Sequence, residues 1–276
     1  CDGKYMPTVT SYDYCAPLNE AGDRTETYYK IREMFVKYGV NVPALTAKES
    51  KKAAYGSVRL NSRAYLFDWL CALSEPIECV YPPRMEDVGQ NYGYILYSTE
   101  APRGLEEDRL FVDGVRDRAL VFLDGKKIAT VDRNEPMPDV LFDTANKARR
   151  LDILVENRGR INFGAQVCDR KGLEKVRLSS AELFGWTVYP LAMDDLSGLV
   201  FFERDESTEL PVFLFAKFTA GEPCDTFVEI CGARRGFIMI NGFNIGRFNN
   251  DEGPQKTLYV PAPYLKKGIN ELVVFS

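Results

Sequence analysis

Arg118-Ala119-Leu120-Val121-Phe122-Leu123-Asp124-Gly125-Lys126-Lys127-Ile128-Ala129-Thr130-Val131 is echoed 117 residues further on (124 against 241) by Arg235-Gly236-Phe237-Ile238-Met239-Ile240-Asn241-Gly242-Phe243-Asn244-Ile245-Gly246-Arg247-Phe248, and this pair decides the fold. In each copy an apolar run meets Asp124-Gly125 or Asn241-Gly242, dipeptides that supply the two positive φ angles of a type I′ hairpin turn, and a second strand returns. A further apolar run closes each copy, residues 151–155 in one and 271–275 in the other. Three features recurring in order at nearly one offset mark a repeated unit rather than two unrelated hairpins. Other short runs, at 93–97, 211–218 and 226–230, are punctuated by Gly, Pro, Asn and Asp as in β-sandwiches. The reading is a mainly β protein with two sandwiches of roughly 90 to 110 residues each.

The chain has 276 residues, 45% of them hydrophobic and 27% charged, with 35 Lys and Arg against 40 Asp and Glu, a net charge of −5, and no histidine. That composition belongs to globular proteins with ample core. The missing imidazole removes Ser-His-Asp and Cys-His nucleophile pairs, His-ligated zinc and His general bases. Net negative charge with dispersed basic residues gives no nucleic-acid footprint, and no apolar run approaches the ~20 residues of a membrane helix. The seven cysteines contain no CxxC pattern, so no metal or redox site is expected of them. Read as free, half-buried thiols, they favour a cytoplasmic, reducing setting, with periplasmic, secreted or lysosomal locations left open. No signal can be read from the start, Cys1-Asp2-Gly3-Lys4-Tyr5.

Ahead of the sandwiches lies one β-loop-α unit. Residues 7–14 are rich in β-branched and aromatic side chains between prolines, as in a short buried strand. Asp23 with Glu26 three residues on makes a capping-box start, and Tyr28, Ile31, Phe35 and Tyr38 recur at helical spacing until Gly39. Residues 40–84 read as a linker, part of which, 55–59, is expected to pair into the second sandwich. The remaining divisions are 1–39 for the β-α unit, 85–172 for the first sandwich and 173–276 for the second.

Without histidine, carboxylates are the main acid/base groups, and a glycosidase pair needs two of them about 5 to 10 Å apart. Glu75, Glu78, Glu86, Asp87, Asp194 and Asp195 all sit in loop-like stretches, where solvated or capping roles are commoner, and none is assigned to catalysis. Tyr12 and Tyr14 share one face of the opening strand. Such phenols suit a sugar site, the ring packing on C–H faces while the hydroxyl bonds an oxygen; core tyrosines with satisfied hydroxyls are the bland alternative. Trp69 and Trp186 are expected in core packing.

The segment Thr10-Ser11-Tyr12-Asp13-Tyr14-Cys15-Ala16-Pro17-Leu18-Asn19-Glu20-Ala21-Gly22 closely resembles the TSYDYDAPL-EAG segment of the glycoside hydrolase family 35 β-galactosidases. Residues 85–94, MEDVGQNYGY, are similar to the opening of that family's first jelly roll, and residues 155–164, VENRGRINFG, to its E-N-x-GR-x-N-Y-G. Residues 241–248 and 253–261 resemble its NG-x-x-x-GRYW and GPQ-x-TLYVP. The matches run the length of the chain in order.

The resemblance implies that residues 1–39 are the last strand and helix of a catalytic (β/α)8 barrel, a TIM barrel, followed by two jelly-roll domains. It implies a retaining β-galactosidase that acts on terminal, non-reducing β-D-galactose in oligosaccharides or glycoconjugates, with no cofactor. Its two catalytic glutamates would stand on earlier barrel strands, upstream of Cys1. This chain is therefore expected to hold no catalytic residue, to be inactive alone, and to have the rest of the barrel as its partner, with homo-oligomer formation left open. Tyr12 and Tyr14 match the family's sugar-contacting tyrosines. Cys15 stands where the family usually has Asp, and Phe248-Asn249 where it has Tyr-Trp. A non-catalytic carbohydrate-binding or interaction module of two sandwiches is the competing reading, although it gives the leading β-loop-α unit no role.

Overall fold

The computed structural model describes residues 5, 15–46, 48–102, 108–142, 148–162, 164–179, 181–203, 209–252 and 256–276. The chain is mainly β and forms two compact units. One comprises Cys1–Thr8, Leu66–Leu199 and Ser207–Leu210; the other comprises Val9–Tyr65, Val200–Glu206 and Pro211–Ser276.

The first unit is a sandwich. Its larger, antiparallel sheet runs in the order Ile77–Cys79, Trp186–Leu191, Tyr94–Ala101, Arg149–Glu156, Arg118–Leu123, Lys126–Asp132. Asp108–Asp113 forms a smaller sheet between Val140–Phe142 and Lys175–Arg177. Strand side chains alternate in direction, so Ile95 and Tyr97, Val121 and Leu123, Ile153 and Val155, Trp186 and Val188 all point to one face, where they meet Leu110, Val112, Val140 and Val176. The opposite face is also covered: Leu96 and Phe122 are fully buried, and Phe67 packs edge-on against Phe122 at 5.1 Å. Burial on both faces explains why Ala119–Leu123 reads as an unbroken apolar run. The unit extends past the division expected at 172/173, because Trp186–Leu191 pairs with Tyr94–Ala101 and carries Trp186 into the core. Residues 66–73 lie in this unit too, as a 3-10 turn and a short helix rather than linker.

The second unit repeats the plan. Its large sheet runs Phe202–Glu203, Ser62–Tyr65, Val212–Ala220, Gly268–Phe275, Arg235–Ile240, Phe243–Asn249, and Thr226–Glu229 pairs separately with Thr257–Val260. Ile238, Ile240, Leu258, Val260, Leu272 and Val274 share its core. Phe248, at the departure from the family pattern, packs there as well. The strand contributed by the 40–84 stretch is Ser62–Tyr65 rather than 55–59. Tyr55 reaches the same unit through its hydroxyl, which accepts from the Cys224 amide at 2.9 Å.

The two hairpins match in detail. Arg118 pairs with Asp132 and Arg235 with Asn249, and each ladder shifts register at the same place, Val121/Phe122 and Ile238/Met239. Asp124 and Gly125 have φ of 46° and 78°, Asn241 and Gly242 50° and 84°, the left-handed pair that a type I′ turn requires.

The expected helix is Glu26–Lys37. It ends in a Schellman motif, with the Val40 amide on the Phe35 carbonyl and the Gly39 amide on that of Val36. The expected capping box does not form. Thr25 is the N-cap residue and its hydroxyl donates to the Ala16 carbonyl at 2.7 Å, while Asp23 turns to accept from the Ser50 amide and to pair with Lys52. Lys52 in turn bridges to Asp225, so residues 50–53 are bound into the second unit rather than loose.

Candidate functional site

Tyr12 and Tyr14 lie outside the described residues, as does the whole of the strand expected at 7–14. Cys15 has φ +54°, a conformation in which Asp and Asn are the favoured non-glycine residues. The Asn19 side chain accepts from the Ala21 and Asp23 amides and closes the loop that leads into the helix. Helix Glu26–Lys37 has no buried residue. Ile31, Met34, Phe35 and Tyr38, at i, i+3, i+4 and i+7, form one apolar stripe and are 37, 47, 44 and 76% exposed. No described part of the chain covers them.

The stretches 85–94 and 155–164 meet in the first unit. Asn157 Nδ2 donates to the Asn91 carbonyl at 3.0 Å, and Arg160 Nη2 donates to the same oxygen at 2.9 Å while Nη1 pairs with Glu86. Gln90 Nε2 donates to the Tyr92 and Tyr94 carbonyls, both at 2.7 Å. Five of the six loop carboxylates named above are engaged in such ties. Glu86 also accepts the Lys171 amide; burial alone would raise its pKa, but the Arg160 hydrogen bond and backbone amides hold it below its usual value. The Arg84 amide and the Arg170 guanidinium lower that of Asp87. Asp194 accepts from the Tyr92 hydroxyl at 2.7 Å and Asp195 from the Ser197 amide at 2.8 Å. Glu78 accepts from the Thr187 hydroxyl. These contacts give each of the five a structural role.

A buried ion cluster lies nearby. Lys171, with no exposed surface, donates to both oxygens of Asp117 at 2.9 Å and to Asp169 Oδ2 at 2.6 Å. Arg133 Nη1 reaches Asp117 at 2.7 Å and Asp169 at 2.8 Å. Burial opposes the charge on Asp169, yet the hydrogen bonds and charges of Arg133 and Lys171 hold its carboxyl below the ordinary range. Hydrogen bonds of both carboxylates are thus taken up by these two cations. A cleft of about 650 Å³ opens beside the cluster, lined by Tyr5, Arg84, Arg116, Arg170 and Gln166 among others. Sequence reading missed this cluster because Asp117, Arg133, Asp169 and Lys171 are scattered over 54 residues and no local motif links them.

In the second unit a groove of about 680 Å³ is lined by Tyr55, Arg59, Asn61, Phe215, Lys217 and Phe218. Trp186 is fully buried, with Nε1 donating to the Leu183 carbonyl, whereas Trp69 is half-buried. Among the described residues six cysteines are unpaired, and Cys15, Cys71, Cys168 and Cys231 are exposed rather than half-buried. Among the described residues no helix is long and apolar enough to cross a membrane.

Two domain families match the chain: "Beta-galactosidase, first all-beta domain" over residues 82–192 and "Beta-galactosidase, galactose-binding domain" over residues 211–270. The chain is 37% identical to the beta-galactosidase of Bos taurus and 36% identical to that of Homo sapiens, over 93% of its length and 43% and 42% of theirs. It is 37% identical to the human beta-galactosidase-1-like protein 3 over 99% of its length and 43% of that protein's. The chain thus spans less than half the length of these relatives.

Proposed function

Since the chain belongs to the family 35 β-galactosidases, as their carboxyl-terminal part, we propose that the protein carrying it removes terminal β-linked galactose from oligosaccharides or glycoconjugates with retention of configuration. One glutamate attacks the anomeric carbon and forms a covalent galactosyl-enzyme while the other protonates the departing oxygen. The second then takes a proton from the water that releases galactose. In this reading both glutamates belong to barrel strands that precede Cys1, and Tyr12 and Tyr14 contribute phenol hydroxyls at the end of the eighth strand, where barrel enzymes place their working groups.

The observation that carries the reading is the identity of 36 to 37% with proteins named beta-galactosidase over 93% of the chain. The exposed stripe of helix Glu26–Lys37 supports it, since a last barrel helix would bury that stripe against the remainder of the barrel. The test is turnover of a chromogenic β-galactoside by the full-length protein in EDTA, with the 276-residue chain alone inactive. Activity confined to α-galactosides or β-glucosides overturns it.

The match of residues 211–270 to a family described as galactose-binding favours a second role, carbohydrate binding by the second sandwich. Retention of β-galactosides by the isolated chain on a glycan array tests that role without any catalysis.

A further inference from the structure

The two hairpins agree in turn geometry and register shift but differ at an exposed position beside the turn. Phe243 follows Asn241-Gly242 in the second sandwich, where Lys126 follows Asp124-Gly125 in the first, 117 residues apart (126 against 243). Each pairs with the last residue of the incoming strand, Ile240 or Leu123, so the positions are equivalent. The first sandwich builds this hairpin with an exposed lysine there, so the turn itself needs no aromatic ring. Phe243 is nevertheless 50% exposed.

The Phe243 ring is stacked on Tyr264, with centroids 4.5 Å apart and planes inclined by 19°. Tyr264 ends the 3-10 turn Ala262–Tyr264, which follows strand Thr257–Val260, so the pair joins the hairpin of the large sheet to the smaller sheet. That turn is fixed by other contacts. Asn241 Nδ2 donates to the Tyr264 carbonyl at 2.7 Å, the Tyr264 amide donates to the Pro261 carbonyl at 3.1 Å, and Leu265 is buried in the core. With one face against Tyr264 and half its surface open, Phe243 turns its other face outward, on a side chain with only two χ angles to order. Asn244 and Lys266, both exposed and close to the pair along the chain, add an amide and an ammonium. The Asn244 side chain is held by the Gly246 amide, which donates to its Oδ1 at 2.9 Å.

A pre-positioned aromatic face with hydrogen-bonding groups beside it suits a pyranose. In a β-galactoside the axial C4 hydroxyl leaves the C–H bonds at C3, C4 and C5 together on one side of the ring. That apolar patch packs on an aromatic face while the hydroxyls meet water or donors at its edge. One stacked pair is far smaller than the ~800 Å² that each partner of a stable protein interface buries, but it matches one sugar ring. We propose that Phe243, backed by Tyr264, is a non-catalytic platform on which the second sandwich binds terminal β-galactose. This site rests on the carbohydrate-binding role proposed above for that sandwich and gives the role its place.

The experiment titrates methyl β-D-galactopyranoside into the 276-residue chain, and into the full-length protein with its catalytic glutamate capped as the 2-deoxy-2-fluorogalactosyl ester, so that the catalytic site is filled. Binding is read by saturation-transfer NMR. Saturation should be strongest at H3, H4 and H5 of the sugar, with a dissociation constant on the order of 1 mM, as a shallow site gives. Phe243→Ala and Phe243→Lys, the latter copying the first sandwich, should weaken binding about tenfold with little change in melting temperature, because the ring contact is lost. Phe243→Tyr should keep wild-type binding, and Lys126→Ala should leave it unchanged. Wild-type binding in Phe243→Ala and Phe243→Lys, or an equal loss in Lys126→Ala, overturns the platform while leaving a galactose site elsewhere on the chain. No binding by the wild-type chain overturns the carbohydrate-binding role itself. Binding by the chain but not by the capped full-length protein means that the ring is covered in the whole molecule, and also overturns the platform. If the full-length protein cannot be capped, the β-galactosidase reading fails, while the titration of the chain still decides on Phe243.

Discussion

Asp124 brackets Arg150: its amide donates to the Arg150 carbonyl at 2.8 Å, and its carboxylate accepts from the Arg150 amide at 2.9 Å. Asn241 brackets Glu271 in the same way, at 3.0 Å for each bond. A residue at the first turn position of each hairpin thus completes the ladder to the strand that closes the copy.

Asp124→Asn should therefore be nearly neutral, because Asn241 does the same work in the other sandwich, although the Arg149 contact at 2.6 Å loses its charge. Asp124→Ala should cost about 2 kcal/mol, from the lost acceptor and from a left-handed φ that alanine tolerates poorly. Urea denaturation of the two variants checks this, and equal midpoints for both would contradict it.

The Asp117–Lys171–Asp169–Arg133 cluster should be costly to break and sensitive to acid. Lys171→Met removes the cluster's one fully buried cation, leaving Asp117 and Asp169 to Arg133 and the more distant Arg116, and should destabilise the first unit by ~3 to 5 kcal/mol. A carboxyl whose pKa is lower folded than unfolded adds stability above its unfolded value, ~3.9 for Asp. That stability is lost as pH falls through the lower folded value. Asp169, Asp87 and Glu86 all shift in this direction. Their contribution should hold from neutrality to about pH 5 and fall away below about pH 4. Unfolding midpoints measured across that range should show a shallower acid limb in Asp169→Asn.

If the full-length protein has the proposed activity, Tyr14→Phe should lower it by about one to two decades, the cost of a hydrogen bond to a charged or developing-charge partner, ~1.5 to 3 kcal/mol. Tyr12→Phe should act in the same direction. Unchanged turnover and affinity in Tyr14→Phe would return both residues to the role of core tyrosines.

Phe35→Asp should change the stability of the 276-residue chain by less than about 0.5 kcal/mol, as surface substitutions do, because Phe35 is 44% exposed there. In the full-length protein it should destabilise markedly, since a charge would then face the surface that covers the helix. Equal effects in both contexts would contradict the assignment of this helix to a barrel.

The legible part of this protein was local. Asp124-Gly125 and Asn241-Gly242 announce their turns because few dipeptides accept two positive φ angles in succession. The duplicated hairpins, down to a shared register shift, follow from residues close in sequence. The helix Glu26–Lys37 and its Gly39 stop were readable from spacing for the same reason. Its cap was not, because Asp23 has a better offer from Ser50 and Lys52, twenty-seven and twenty-nine residues away. The reach of the first unit to Leu199 and the strand Ser62–Tyr65 in the second were decided by pairing between distant segments. So were the Asp117–Lys171 cluster and the tie of Tyr5 to Asn134, the latter joined across 129 residues. Periodicity and turn chemistry act over a few residues and so leave a mark in the sequence, whereas a buried charge or phenol takes whichever complementary group the folded chain brings within about 3 Å.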